Sequence, residues 1–279
     1  MAELQVSRAW RAAADRLCEG PWRRLVVLGA CDRGKSTFCR YLAARLAAGG
    51  DVAVLDCDLG QKLVGRPACV TLGRAAGGAI FLDRLRFIGE TNPTLSLAGV
   101  VAAAARLART AGPGRLVVNT SGLIAGPGLT LKRWKLEALD PDWILGLAID
   151  DELEPLLAPL PQARVLRIPP SAAAVRKGDA LRSAARISAL AAALTGATRQ
   201  ALSSKVVMEE LQREPPPGPR LCGLADFAGE DLGLGIIDLK DPDWVNTPVD
   251  AGCVRRVRIG MAAPPPLLNP APSPGAARP

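Results

Sequence analysis

Gly29-Ala30-Cys31-Asp32-Arg33-Gly34-Lys35-Ser36 has the spacing G-x-x-x-x-G-K-S, which holds a polyphosphate. Its glycines let the backbone fold over phosphate oxygens, and the N–H groups of a following helix aim at the negative charge. Lys35 reaches the β- and γ-phosphates, and the Ser36 hydroxyl enters a Mg²⁺ shell. Thr37 and the intervening residues complete a loop expected to bind ATP, the co-substrate, with Mg²⁺ as cofactor. A second group follows in Val52-Ala-Val-Leu-Asp56-Cys57-Asp58-Leu59-Gly60-Gln61, an apolar run ending in carboxylates. Alternation along an extended chain puts Asp56 and Asp58 on one side. One carboxylate, Asp56, is expected to order the metal's water shell, and Asp58 to accept a proton from an attacking hydroxyl. Gln61 is expected to orient that hydroxyl or a water.

The elements that hold these residues are readable from hydrophobic pattern. Leu25–Leu28 precedes the phosphate loop and a helical segment over 35–48 follows it. Further strands are expected at 52–55, 116–118, 144–148 and 165–168, alternating with helices around 94–109, 130–139, 151–158 and 178–195. Such alternation predicts an α/β fold, a doubly wound parallel sheet with phosphates beyond the carboxyl ends of its strands. Residues 63–90 read as a hairpin-like insertion. The expected organisation is a helix in 1–21, a phosphate-loop domain over 22–212 and a proline-rich linker at 213–220. A small β-rich carboxyl-terminal domain over 221–260 and a disordered proline-rich tail at 261–279 follow.

Composition removes several chemistries. The chain of 279 residues contains no histidine, which excludes Ser-His-Asp triads and His-containing zinc sites. Its seven cysteines form no C-x-x-C pair and read as reduced thiols of a cytoplasmic protein. No signal peptide or stretch of transmembrane length is evident, so no membrane partner is expected. The net charge of +8 suits a polyanionic partner.

The order of motifs resembles the polynucleotide 5′-hydroxyl kinases, a family that includes the RNA kinases of mRNA cleavage and pre-ribosomal RNA processing. The matching elements are Asp58-Leu-Gly60-Gln61, Gly89-Glu-Thr91-Asn92-Pro93, Asn119-Thr120-Ser121-Gly122 and Gly126-Pro-Gly128-Leu129. Val175–Arg186 is similar to an arginine-bearing lid, and Gly223–Asp226, Gly233–Ile237 and Thr247-Pro248 to a carboxyl-terminal domain. The resemblance implies transfer of a γ-phosphate to the 5′-OH end of RNA or DNA, with a role in RNA processing or repair. It makes Lys35 a phosphate ligand, Ser36 a metal ligand and Asp58 the general base, and it puts Arg176, Arg182 and Arg186 over the transferring phosphoryl group. Thr91 and Asn92 then grip the acceptor end. Asn119, Lys132 and Arg133 are also expected on the acceptor side. Leu123 stands where the family often has an aromatic residue, leaving Trp134 or the Lys132-Arg133 pair to substitute. A nucleoside-triphosphatase switch and a non-catalytic ATP-binding scaffold are the alternatives, and protein partners are not indicated.

Overall fold

A computed structural model describes residues 6–171, 174–211 and 215–265. Ser7 caps the first helix, α1 (Arg8–Glu19), by accepting from the Trp10 N–H. Trp10, Ala13, Ala14 and Leu17 recur at helical spacing and are the face that α1 buries. Strand β1 (Arg24–Gly29) then runs into the phosphate loop, and α2 (Lys35–Leu46) leaves it. Gly34 caps α2 with a left-handed φ of 87°, and a Cβ there would lie 2.9 Å from the Trp10 indole. Only glycine satisfies both conditions.

The chain continues through β2 (Val52–Asp56), β3 (Cys69–Ala76), β4 (Ala79–Phe87), α3 (Leu97–Arg109), β5 (Arg115–Asn119) and α4 (Pro127–Leu139). Next come β6 (Trp143–Leu147), α5 (Glu154–Leu157), β7 (Val165–Ile168) and α6 (Asp179–Ala193). The main sheet has the order β4-β3-β2-β5-β1-β6-β7. Its five strands from β2 to β7 are parallel. Their near-continuous apolar runs are buried because helices cover both faces. Val26, Leu55 and Val118 pack towards α3 and α4 on one side, while Leu25, Val54 and Val117 pack towards α1 and α2 on the other. The switch point lies at β1, whose neighbours β5 and β6 depart to opposite sides.

Residues 63–90 hold the expected hairpin, β3 and β4 joined by Gly77-Gly78, and it extends the main sheet through β3, which runs antiparallel to β2. One expectation needs correction here. The helix expected at 151–158 shortens to the single turn α5, because Pro155 allows only a helix start there.

A second sheet is built from β8 (Thr198–Ala201), β9 (Val207–Glu210), β10 (Pro219–Ala225), β11 (Asp231–Asp238), β12 (Trp244–Thr247) and β13 (Arg256–Ile259). Its order is β8-β12-β11-β10-β13-β9. The proline-rich stretch therefore lies between strands of this sheet and not ahead of it, and Pro219 opens β10, where a strand tolerates proline. Arg213, Glu214 and the tail from residue 266 lie outside the described residues. Leu190, Ala193 and Leu194, at the end of α6, pack with Phe87, Leu221 and Ile236, so the second sheet anchors that helix. Arg86 and Arg258 meet the buried Asp231, and Arg106 meets Glu230, at the same joint. Among the described residues no helix is long and apolar enough to cross a membrane.

Trp10 links α1 to the phosphate loop: it lies edge-on to Phe38 at 5.3 Å and donates from Nε1 to Pro169 O at 3.0 Å. Trp10→Ala should destabilise the fold by about 3–5 kcal/mol in urea titration. It should also weaken nucleotide binding, because the loop loses its backing.

Candidate active site

The cleft at the carboxyl ends of the parallel strands has a volume of about 520 Å³. The phosphate loop supplies one wall through Asp32, Lys35, Ser36 and Thr37, and Asp58, Gly60 and Gln61 supply another. Ser121–Leu123 and Asn92-Pro93 close the floor, while Val175, Lys177, Arg182 and Arg186 reach in from the lid. Lys35 is 7% exposed, and its Nζ donates to Ala30 O at 2.6 Å, curled within the loop. Burial lowers its pKa, and nearby Asp58 opposes that shift. Gly122 lies so close to the loop that a Cβ would come within 2.5 Å of the Cys31 backbone nitrogen. This contact explains why a glycine ends the Asn119-Thr120-Ser121 segment.

Asp56 and Asp58 have separate fates. Strand β2 ends at Asp56, so alternation no longer governs Asp58. The Asp58 side chain instead closes a turn, its Oδ1 accepting from Gly60 N at 3.0 Å and Gln61 N at 2.9 Å. Its Oδ2 makes no hydrogen bond among the described residues. Asp56 is fully buried and spent on the protein. Oδ1 accepts from Asp58 N and Asn119 Nδ2, and Oδ2 accepts from Leu63 N and meets Lys62 Nζ at 3.1 Å. The expectation that Asp56 binds metal is therefore corrected, since it does not line the cleft and its oxygens are occupied. Lys62, missed in the sequence, also donates to the carbonyls of Asp56, Asp58 and Cys69. Its signal was its place directly after Gln61.

Other expected residues divide similarly. Asn119 is fully buried beneath the cleft, where Nδ2 also donates to Ser36 Oγ at 3.3 Å. It is a connector between β5, β2 and the loop and does not face an acceptor. Lys132 is fully buried and donates to the Ser121 carbonyl and hydroxyl. Arg133 is exposed and donates to Pro155 O. Neither lines the cleft, because α4 turns residues 132 and 135 inward and 133 outward. Thr91 lays its carbonyl against Gly60, whereas Asn92 reaches the cleft. Arg176 is exposed and borders a neighbouring cavity with Ala30, Cys31 and Arg33, while Arg182 and Arg186 enter the main cleft. Arg33 points away into a bidentate pair with Glu152 at 2.8 Å.

Lys135, beside Lys132, is 1% exposed, and its Nζ has no hydrogen-bond partner among the described residues. Burial lowers the pKa of both lysines, that of Lys132 further through its cationic neighbours Lys135 and Lys35. The unfolded chain then binds more protons, so stability should rise with pH from the lowered value up to the ordinary lysine range. Lys135→Met should stabilise the protein at pH 7 by about 1–3 kcal/mol and flatten that rise. Urea titrations from pH 7 to 10 measure both. A less stable variant with an unchanged slope would mean that the amine is paired.

A polyribonucleotide 5′-hydroxyl-kinase of Pyrococcus furiosus is 34% identical over 143 residues, covering 48% of this chain and 40% of that protein. One from Methanocaldococcus jannaschii is 33% identical over 144 residues, covering 49% and 40%. The match thus spans about 40% of the length of these curated relatives. In fold, the chain resembles Clp1p in the solved Clp1p–Pcf11p complex, with a TM-score of 0.69 at 11% identity over 90% of this chain and 77% of that one. The model of the mRNA cleavage and polyadenylation factor CLP1 P-loop family matches residues 29–192. That is more than half of the sequence, and the chain belongs to this family.

Proposed function

We propose that this chain transfers the γ-phosphoryl group of ATP to the 5′-hydroxyl end of RNA or DNA, in a cytoplasmic setting that its seven free thiols support. The observation that carries the reading is one cleft shared by Lys35, Ser36, Asp58, Arg182 and Arg186. The names of the relatives, polyribonucleotide 5′-hydroxyl-kinase, support the same substrate class.

The phosphate loop takes the β- and γ-phosphates on its backbone N–H groups and Lys35. Asp58, with Oδ1 fixed by its turn, keeps Oδ2 to accept the proton from the acceptor hydroxyl as that oxygen attacks γ-phosphorus. Arg182 and Arg186 lie four residues apart on α6 and supply guanidinium donors to the equatorial oxygens. Mg²⁺ suits these residues, because it binds through one or two protein oxygens plus phosphates and water, and Ser36 Oγ lies at the cleft. Bound there, Mg²⁺ would neutralise charge on the β- and γ-phosphate oxygens.

The direct test follows labelled γ-phosphate from ATP onto RNA and DNA oligonucleotides bearing 5′-hydroxyls. Release of inorganic phosphate without labelling either acceptor would favour a nucleoside-triphosphatase switch. Lys35→Ala should reduce kcat/KM by orders of magnitude. Asp58→Asn should lower kcat about 100-fold or more while ATP affinity holds, because the amide keeps the shape but takes no proton. Asp56→Asn should instead cost about 3 kcal/mol of stability, since it removes the counter-charge of Lys62 in a buried site. If Asp58→Asn turned over normally, the base would lie elsewhere.

A further inference from the structure

Position 32 is one of the four free positions of the phosphate-loop motif, yet Asp32 has a specific geometry. Its φ is +60°, a left-handed conformation that Asp and Asn adopt more readily than other non-glycine residues. A carboxylate in a loop built for polyphosphate repels its ligand unless a cation neutralises it. Here the cation comes from the lid. Asp32 Oδ2 accepts from Arg182 Nη2 at 2.5 Å and from the backbone N–H of Lys177 at 3.1 Å. The Arg33–Glu152 pair faces the other way, and Glu152 Oε1 also accepts from Ile149 N at 3.0 Å. The loop is thus moored to the β6–α5 connection, and Asp32 holds the lid against a fixed point.

The opposite wall grips the same residue. Gln61 Nε2 donates to the carbonyl of Arg182 at 3.0 Å. Gln61 is itself set by the Asp58 turn through its backbone N–H. Arg182 is therefore held by its side chain from the phosphate loop and by its carbonyl from the Asp58–Gln61 turn. A guanidinium has five N–H donors, so a bond from Nη2 to Asp32 leaves others for phosphate oxygens. The far end of α6 is anchored in the second sheet, so these two grips govern the end that reaches the cleft.

We propose that Asp32 and Gln61 are positioning residues that clasp the lid over the phosphate-binding loop and so aim Arg182 at the bound polyphosphate. The kinetic part rests on the phosphoryl transfer proposed above, while the clasp itself does not.

Two measurements test it. Hydrogen exchange of the nucleotide-free protein reads the clasp without any chemistry. Asp32→Gly, which keeps the left-handed backbone, should speed exchange at Lys177 and the first turns of α6 at least tenfold, and leave β10 and β11 unchanged. Asp32→Asn, retaining one acceptor, should shift exchange in the same direction by less. Unchanged exchange at Lys177 in both variants would overturn the proposal. The second measurement is a double-mutant cycle in phosphate transfer. Asp32→Gly should lower kcat about tenfold with KM for ATP within about twofold, and should have no further effect when combined with Arg182→Ala. Equal losses in both backgrounds would show that Asp32 acts without Arg182 and overturn the positioning role. If the wild-type protein labels no oligonucleotide while lid exchange responds as expected, the kinase reading fails and the clasp stands.

Discussion

The buried carboxylate of Asp56 is the fixed point from which the site is built. A charge with no solvent contact persists only when its lone pairs are filled. Here they are filled by groups from two segments: Asn119 at the end of β5, and the turn after β2 through Lys62 and its backbone N–H groups. Satisfying Asp56 brings together the ends of β2 and β5, and Asn119 passes the constraint to Ser36 in the phosphate loop. Asp58 is consequently delivered to the cleft on a turn whose start is immobilised. Removing one partner would strand a buried charge, which is why this carboxylate matters more to geometry than to chemistry.

The two ends of α6 face different demands. Its carboxyl-terminal half lies in an apolar cluster with the second sheet, and its first turns are polar, partly exposed and held over the cleft by ion pairs and hydrogen bonds. Apolar burial is non-directional and strong, so it suits the end that must stay put. Charge-assisted contacts at the cleft are directional and open to competition from an incoming anion. The second sheet, far from being an appendage, gives the lid its pivot. The ion pairs of Arg86, Arg106 and Arg258 with Asp231, Glu230 and Glu209 fix the joint on which that pivot rests.

Much of this was legible in the residues. The phosphate loop and the parallel strands follow from local spacing and from apolar runs long enough to be buried on both faces, while the lid arginines follow from the resemblance in motif order. What escaped depends on contacts distant in sequence. Strands β8 and β9 are four residues each and largely exposed, so they carry no alternating pattern and exist through pairing with β12 and β13. Asp56 and Asp58 could not be separated by alternation, because the strand stops between them. Lys132 looked like a surface cation since lysine is seldom buried. Its burial depends on α4 presenting that face to Ser121, which no local pattern announces.

Lysine burial at this place has a physical logic. Lys35, Lys62, Lys132 and Lys135 are all buried close to Asp56 and Asp58. Lys62 and Lys132 serve by holding backbone: one carries the carbonyls of Asp56, Asp58 and Cys69, from the end of β2 to the start of β3, the other the Ser121 carbonyl at the cleft floor. An ammonium donates three hydrogen bonds in diverging directions, which no apolar side chain can do for converging carbonyls. Desolvation opposes each of these placements, and the carbonyls compensate by accepting. Lys135 lacks such a partner, so it bears the desolvation cost without that return. The cleft floor is therefore stiffened by cations on its underside, leaving the upper surface to Lys35, Ser36 and Asp58, the groups that meet the ligand.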